Sequence, residues 1–392
     1  MRIPPPLRLQ ALATCLVLFT HGYASAAEPA STSLQHSVDA AVRPVMQAQG
    51  IAGMAVAVIV DGEAHYFNYG VASKASQQAV SRDTLFEIGS VSKTFTATLV
   101  AYAQAQGKLK LSDTASQHWP ALRGSAFDQV SVLNLGTYTA GGLPLQFPAE
   151  ADNSQSMLGY YQHWKPAFAT GTQRLYSNPS LGLFGYLGAR SFGQPFDQVM
   201  ENTLLPKLGL QHTYLTVPKA QMTNYAQGYN KDNQPVRVGP GALDDEAYGI
   251  KTTTRDLVRY VEANLKPAAL EKPLQQAIAA THSGYYTAGE MTQGLGWELY
   301  PYPVILERLL AGNSSQMALE PQKVTWLTPP TPARDELFIN KTGSTGGFGA
   351  YIAFVPARQI GIVLLANKNY PIADRVKIAH QVLSTLDPQG AR

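Results

Sequence analysis

Between positions 33 and 49, Leu34, Val38, Ala41, Val42, Val45 and Met46 recur every three or four residues, which predicts an amphipathic helix. The period then changes. Positions 54–60 form an unbroken apolar, largely β-branched run, Asp61-Gly62 is a hairpin turn signal, and positions 64–69 alternate. The chain therefore opens as a helix and two antiparallel strands. From about 84 to 208 the pattern is mostly helical and loop-like, with a glycine-rich turn at Ala140-Gly141-Gly142-Leu143-Pro144 and a helix near 181–192. Positions 214–247 are rich in Gly, Pro and Asn and read as an extended surface loop. Thr252 or Thr253 then caps a helix that runs to Asn264. Strands return at 337–341, 349–355 and 360–366, the last two joined by a turn at Pro356-Ala357-Arg358. A final helix over 373–386 presents Val376, Ala379, Val382 and Leu383 on one face.

Strands at both ends and helices between them predict one composite α/β (α+β) unit. Its antiparallel sheet is built from the two termini and flanked by the terminal helices, with a helical lobe inserted. The expected partition is an α/β lobe of about 27–84 and 210–392 and a helical lobe of about 85–209. No internal repeat, low-complexity tract or linker divides residues 27–392 into independent domains.

One helix breaks the pattern. Over 86–102, Phe95, Ala97, Leu99, Val100 and Ala101 leave no polar stripe, which marks a helix enclosed on all sides. Yet it opens on Gly89-Ser90-Val91-Ser92-Lys93. Ser90 and Lys93 are three residues apart and share a helix face. An enclosed ammonium is driven towards its neutral form, and a lysine of depressed pKa beside a serine can take the hydroxyl proton. The positive end of the helix dipole favours the developing oxyanion. Ser90 is the candidate nucleophile. Taken alone, Ser-x-x-Lys reads first as a capping serine beside a snorkelling lysine, and its place on an enclosed helix is what strengthens the catalytic reading.

Composition narrows the setting. The chain has 392 residues, 45% hydrophobic and 15% charged, with a formal net charge of +3; this is an ordinary globular balance without a basic patch or acidic tail that would suggest nucleic acid or a membrane surface. Arg2 and Arg8 precede an apolar run over 9–20, followed by Ala24-Ser25-Ala26, a small-x-small cleavage pattern. Residues 1–26 are therefore expected to be a secretory signal peptide, cleaved after Ala26; the run is short for an uncleaved anchor. Cys15, the only cysteine, lies within it, and the run continues past it, unlike a lipoprotein signal. The exported protein is then expected to lack disulfides and depend on its core for stability. The eight histidines show no zinc-binding spacing, and there is no Gly-x-Ser-x-Gly elbow or phosphate-binding loop. Gly346-Gly347-x-Gly349 lies between two strands and lacks the strand-to-helix context of a nucleotide site.

Two further patterns join Ser90. Tyr176-Ser177-Asn178 follows a Gly171-Thr172 turn and is expected on a loop. A phenol near two ammonium groups loses pKa and can serve as a general base or acid. Lys341-Thr342-Gly343 ends an apolar strand, where glycine admits a substrate backbone and Lys341 and Thr342 can bind a carboxylate.

In the order Ser-x-x-Lys, Tyr-x-Asn, Lys-Thr-Gly, these patterns resemble penicillin-binding proteins and serine β-lactamases. Tyr-Ser-Asn in the middle resembles the class C β-lactamases, as do Leu85 to Lys93, Ala140 to Gln146, Phe348 to Tyr351 and Ala366 to Pro371. The resemblance spans essentially the whole chain after the leader and is nearest to the pseudomonad chromosomal and related plasmid-borne enzymes. It implies the serine β-lactamase fold, a β-lactam substrate, no cofactor, a monomer and a periplasmic location. It further implies that Ser90 attacks the lactam carbonyl while Lys93 and Tyr176 manage its proton, and that Tyr176, assisted by Lys341, then activates the deacylating water. The oxyanion would lie between the amides of Ser90 and Ser344. Gln146 and Asn178 would hold the acylamino side chain, Tyr248 would line its pocket, and Lys341, Thr342 and Asn369 would lie near the carboxylate. Two positions depart from some members of the family: Asn340 stands where they carry His, and Ile372 where they carry Asn. Carboxylate binding is therefore expected to be shared differently. The alternatives are a D-alanyl peptidase or esterase using the same nucleophile, and a non-hydrolytic sensor, which would need a membrane segment.

Overall fold

The computed structural model describes residues 30–388, together with Met1 and Pro4. The expected signal peptide lies outside the described residues, Met1 and Pro4 apart, and among the described residues no helix is long and apolar enough to cross a membrane.

The first helix, α1 (Ala30–Gln49), precedes β1 (Gly53–Val60) and β2 (Glu63–Gly70), which form the predicted hairpin. Two buried helices follow in the middle of the chain: α2 (Ser92–Ala105) and α3 (Asn178–Ser191). Thr253 caps α4 (Thr254–Leu265) through its side chain, settling the choice between the two threonines, and α5 (Lys272–Thr281) comes next. Four strands lie where no element was predicted: β3 (Gly284–Ala288), β4 (Met291–Gln293), β5 (Glu298–Pro301) and β6 (Thr325–Thr331). The last three strands are β7 (Leu337–Ser344), β8 (Gly349–Val355) and β9 (Ile360–Ala366), and α6 (Ile372–Leu386) follows them.

These nine strands make one antiparallel sheet in the order β6-β3-β4-β5-β7-β8-β9-β1-β2. The sheet does draw on both ends of the chain, but four strands from 284–331 extend it well beyond the expected set. Pro329 and Pro330 lie in the edge strand β6, where a missing N–H costs no ladder bond and deters pairing with another chain.

The unbroken apolar run of β1 has a simple cause: both of its faces are covered. Val56 and Val58 pack with Leu34, Val38 and Val42 of α1 and with Val376, Ala379 and Leu383 of α6. Ala55, Ala57 and Ile59 face the other way, onto Leu257 and Val261 of α4. Between 85 and 209 only two-residue strands occur among the described residues. One of them, Phe86–Glu87, pairs with Lys251–Thr252 and delivers the chain to α2.

Helix α2 is held between α3 and α5 and is buried from Ser92 to Ala103, as its missing polar stripe requires. Its threonines are satisfied internally. Thr94 and Thr98 donate to Val91 O and Thr94 O, at 2.8 and 2.9 Å, and Thr96 donates to Glu246 O at 2.7 Å.

Candidate active site

Ser90 lies in a 3-10 turn, Gly89–Val91, just before α2, and Lys93 is the second residue of that helix. The pair is thus set at a turn-to-helix junction, and Lys93 Nζ donates to Ser90 Oγ at 3.1 Å. Ser90 is half-buried while Lys93 has no exposed surface. Lys93 also donates to Asn178 Oδ1 and Ala247 O, each at 2.6 Å. All three of its N–H donors are used, so the ammonium has one direction to each neighbour. Burial drives Lys93 from its ordinary value down to about 8. Tyr176 opposes that drop, and the charge of Lys341 adds to it.

Tyr176 sits between the two lysines, with Lys93 Nζ 5.2 Å and Lys341 Nζ 5.1 Å from its ring centroid. Arg174 lies 5.6 Å from the same ring. Burial alone would raise the phenol, but Lys341 and Lys93 overcome it and hold Tyr176 down at about 8. Among the described residues its Oη has no hydrogen bond of standard geometry, although Ser90 lies close enough for its hydroxyl to favour the phenolate, and Lys341 and Lys93 favour it by charge. The phenol is therefore free to exchange a proton with a reacting atom.

The expected loop at Tyr176-Ser177-Asn178 is more ordered than a loop. Ser177 accepts a hydrogen bond from Ser180 N at 3.0 Å and caps α3, and Asn178 is the helix's first residue. That placement aims Asn178 Oδ1 at Lys93 from a fixed helix end.

A second junction faces Ser90. The end of β7 carries Lys341, Thr342, Gly343 and Ser344, and two glycines let it touch the Ser90 turn. Gly89 has φ +50°, and a Cβ there would lie 2.5 Å from Ser344 N. A Cβ on Gly343 would run into Ile88 O and lie 3.0 Å from Ser90 N. Backbone meets backbone, which brings the Ser90 and Ser344 amides into one neighbourhood. Arg375 braces this strand end, with Nη1 donating to Gly343 O at 2.6 Å and to Ser344 Oγ at 2.9 Å.

The cleft, of about 280 Å³, is lined by Ser90, Gln146, Tyr176, Asn178, Lys341, Thr342 and Ser344, and also by Ile372. Seven of the ten expected site residues thus share one cavity, and Lys93 lies directly behind Ser90. The other two do not line it. Tyr248 follows the short helix Asp244–Ala247, whose last carbonyl holds Lys93. Asn369 uses its Oδ1 to accept from Arg375 Nη2 at 2.8 Å. Of the two departures, Asn340 is wholly buried: its Oδ1 accepts from Tyr351 Oη at 3.1 Å and its Nδ2 donates to Glu298 O at 3.0 Å. It is an internal tie, whereas Ile372 faces the cleft.

Sequence reasoning missed Glu298, Arg174 and Arg375. Glu298 lies 3.9 Å from Lys341 Nζ and 3.7 Å from Arg174, and it is nearly buried. Three cations therefore face one carboxylate around Tyr176, an imbalance that favours phenolate and attracts an anionic ligand. A charge inside an apolar stretch, as in Trp297-Glu298-Leu299, was the available signal. So was the i, i+2 spacing that puts Arg174 and Tyr176 on one side of an extended segment. Among the described residues no three His, Cys, Asp or Glu side chains converge on a point that could hold a metal ion.

Against known proteins, the beta-lactamase family model matches residues 38–387. A beta-lactamase of Pseudomonas fluorescens is 67% identical over 357 residues, covering 91% of this chain and all of the relative. A solved class C beta-lactamase in complex with cefoxitin superposes with a TM-score of 0.88 at 51% identity, covering 91% of this chain and 100% of its own. A beta-lactamase/D-alanine carboxypeptidase from Pseudomonas syringae gives 0.88 at 48% identity, covering 90% and 99%.

Proposed function

The chain belongs to the beta-lactamase family, with class C enzymes among its solved neighbours, and from that premise we propose that it hydrolyses the lactam amide of cephalosporins and penicillins through an acyl-enzyme on Ser90. The observation that carries this reading is the Ser90–Lys93 hydrogen bond at 3.1 Å, with the Tyr176 ring flanked by Lys93 and Lys341.

In the first half-reaction Ser90 Oγ bonds to the lactam carbonyl carbon, and its proton passes to the Lys93–Tyr176 pair. The negative charge moves to the carbonyl oxygen, between the Ser90 and Ser344 amides, where preorganised donors stabilise it. The carbon–nitrogen bond then breaks, and the nitrogen takes up the proton held by the pair. In the second half-reaction Tyr176, kept acidic by Lys341, accepts a proton from water as its oxygen attacks the ester carbonyl. Ser90 Oγ leaves and is reprotonated, which restores the resting site. Lys341 and Thr342 receive the substrate carboxylate, with Gln146 and the Asn178 amide nitrogen left for the acylamino side chain. Tyr248 and Asn369 shape these subsites from outside the cleft lining. The leader features of residues 1–26 support export to the periplasm, where the enzyme acts as a monomer without a cofactor.

The deciding experiment is intact-protein mass spectrometry on wild type mixed with a simple cephalosporin. The adduct should appear and vanish within seconds to minutes as free enzyme returns and lactam absorbance falls. An adduct that persists for hours with every simple penicillin and cephalosporin tried overturns the hydrolase reading. A second reading, D-alanyl peptidase or esterase chemistry at the same serine, is favoured by the Pseudomonas syringae neighbour. Release of D-alanine from an acyl-D-alanyl-D-alanine peptide at a rate matching cephalosporin hydrolysis would establish it.

A further inference from the structure

Glu87 is 1% exposed and takes no part in the proton path. It lies three residues before Ser90, on the Phe86–Glu87 strand that leads into the nucleophile turn. Its Oε1 accepts from Tyr225 Oη at 2.6 Å and from Val238 N at 2.9 Å. Its Oε2 accepts from Thr345 Oγ1 at 2.5 Å. Tyr225 and Val238 belong to the long loop that ends at Ala247 and Tyr248, whereas Thr345 directly follows Ser344. One buried carboxylate therefore ties together the segment bearing the Ser90 amide and the segment bearing the Ser344 amide, with the long loop as a third strand of the knot.

We propose that Glu87 is a positioning residue for the oxyanion hole, setting the separation of its two amides through Thr345. This rests on acylation at Ser90. A tetrahedral oxyanion needs both donors about 2.7–3.1 Å away, so a displacement of either one weakens the hole. The Gly89 and Gly343 contacts limit how near the two segments can come, but steric contact sets only a minimum. Arg375 holds Gly343 and Ser344 to α6, which does not bind them to the Ser90 turn. The Glu87–Thr345 bond supplies a directional attraction between the two segments, beside the edge-on packing of Phe86 against Phe348. A charge-assisted hydrogen bond in a dry interior is strong enough to do so.

The test is Thr345→Val, which removes the hydroxyl at nearly constant volume and leaves the Tyr225 and Val238 bonds intact. Acylation of Ser90 by a fluorescent penicillin, followed by stopped flow, should slow by about 10–100-fold, the scale expected for misplacing a reacting geometry by a fraction of an ångström to one ångström. Inhibition by phenylboronic acid, whose tetrahedral adduct places an oxygen in the hole, should weaken by a similar factor. Ground-state affinity for the same penicillin, measured in a Ser90→Ala background, should stay within about twofold. Thr345→Ser should restore both rates, and Glu87→Gln should shift them in the same direction as Thr345→Val. A Thr345→Val protein that melts earlier but acylates and binds the boronic acid like wild type overturns the proposal. The acylation rate reads the hole whether or not water later frees the enzyme. A wild type that acylates and stalls therefore defeats the hydrolase reading and leaves this one standing.

Discussion

Lys93 and His282 are both bases sealed inside the protein, and they have opposite fates. His282 is packed among Trp297 and Phe354, with ring centroids 6.4 and 5.7 Å away, and its Nε2 meets Asn264 Oδ1 at 3.0 Å. Burial is the cause of its low pKa, about 3, so the imidazole is neutral throughout the ordinary pH range. Lys93 is equally buried, but three oxygens accept its protons and a phenol stands beside it. It falls only to about 8, within reach of both protonation states. Burial removes a base from water in either region. What makes one of them chemical is a set of acceptors that tolerates the charge, together with a proton partner that faces a cleft.

The largest effect should come from taking away the atom this arrangement serves. Ser90→Ala should abolish turnover, on the scale of about 10⁶ in kcat seen when a serine nucleophile is removed from a protease. A steady-state assay showing only a few-fold loss, with circular dichroism unchanged, would take Ser90 out of the mechanism. Next is the proton partner. Tyr176→Phe keeps the ring between the two lysines and deletes the phenol, so hydrolysis should slow by about 10²–10⁴-fold, the range of general acid–base catalysis. Mass spectrometry should then find acyl-enzyme accumulating if the phenol serves chiefly in the second half-reaction.

The quiet region predicts stability changes without kinetic ones. Leu364→Ala in β9, buried with α1 and α6 on its face of the sheet, should cost about 2–5 kcal/mol in urea unfolding. The specific activity of the folded fraction should be unaltered. The smallest effect is a pH dependence. His282 has its folded pKa depressed to about 3, so its contribution is complete above the unfolded value of about 6.5 and is lost as pH falls from there towards 3. Between pH 7 and 4.5 this amounts to roughly 2 kcal/mol. His282→Gln, which retains a polar partner for Asn264, should flatten that portion of the acid limb. An unchanged slope in urea midpoints would separate His282 from acid sensitivity.

The three motifs were legible because each carries its chemistry in contiguous residues, and the apolar runs of β8, β9 and β1 placed one half of the sheet. The far half of the sheet was not. Strands β3, β4 and β5 are only five, three and four residues long, and Gly289, Gly294 and Gly296 interrupt them. Strand β6 carries two prolines, which read locally as a loop. At the site, Glu87, Arg174 and Glu298 stayed hidden because their charged or hydrogen-bonding partners lie 43 to 258 positions away, and Arg375 because its contacts with Gly343 and Ser344 cross between separate elements. Thr345, the partner of Glu87, is 258 positions distant. Asn340 was linked to carboxylate binding because some family members carry His there, but successive strand residues point to opposite faces, and its side chain is internal.

The close approach of Gly89 to Ser344, and of Gly343 to Ile88 and Ser90, bears on which mutations the protein can survive. The proposed oxyanion donors are main-chain groups, so no replacement at Ser344 other than proline would delete an N–H. Selection for new substrates can therefore try different side chains at cleft positions such as Gln146 and Ile372 without deleting those two N–H donors. The vulnerability is concentrated at the two glycines, where even a methyl group collides with the opposing backbone. An inhibitor that relied on the hole itself would meet donors that side-chain changes reach only indirectly, as through Thr345. One that relied on Ile372 or Gln146 would meet a surface open to revision.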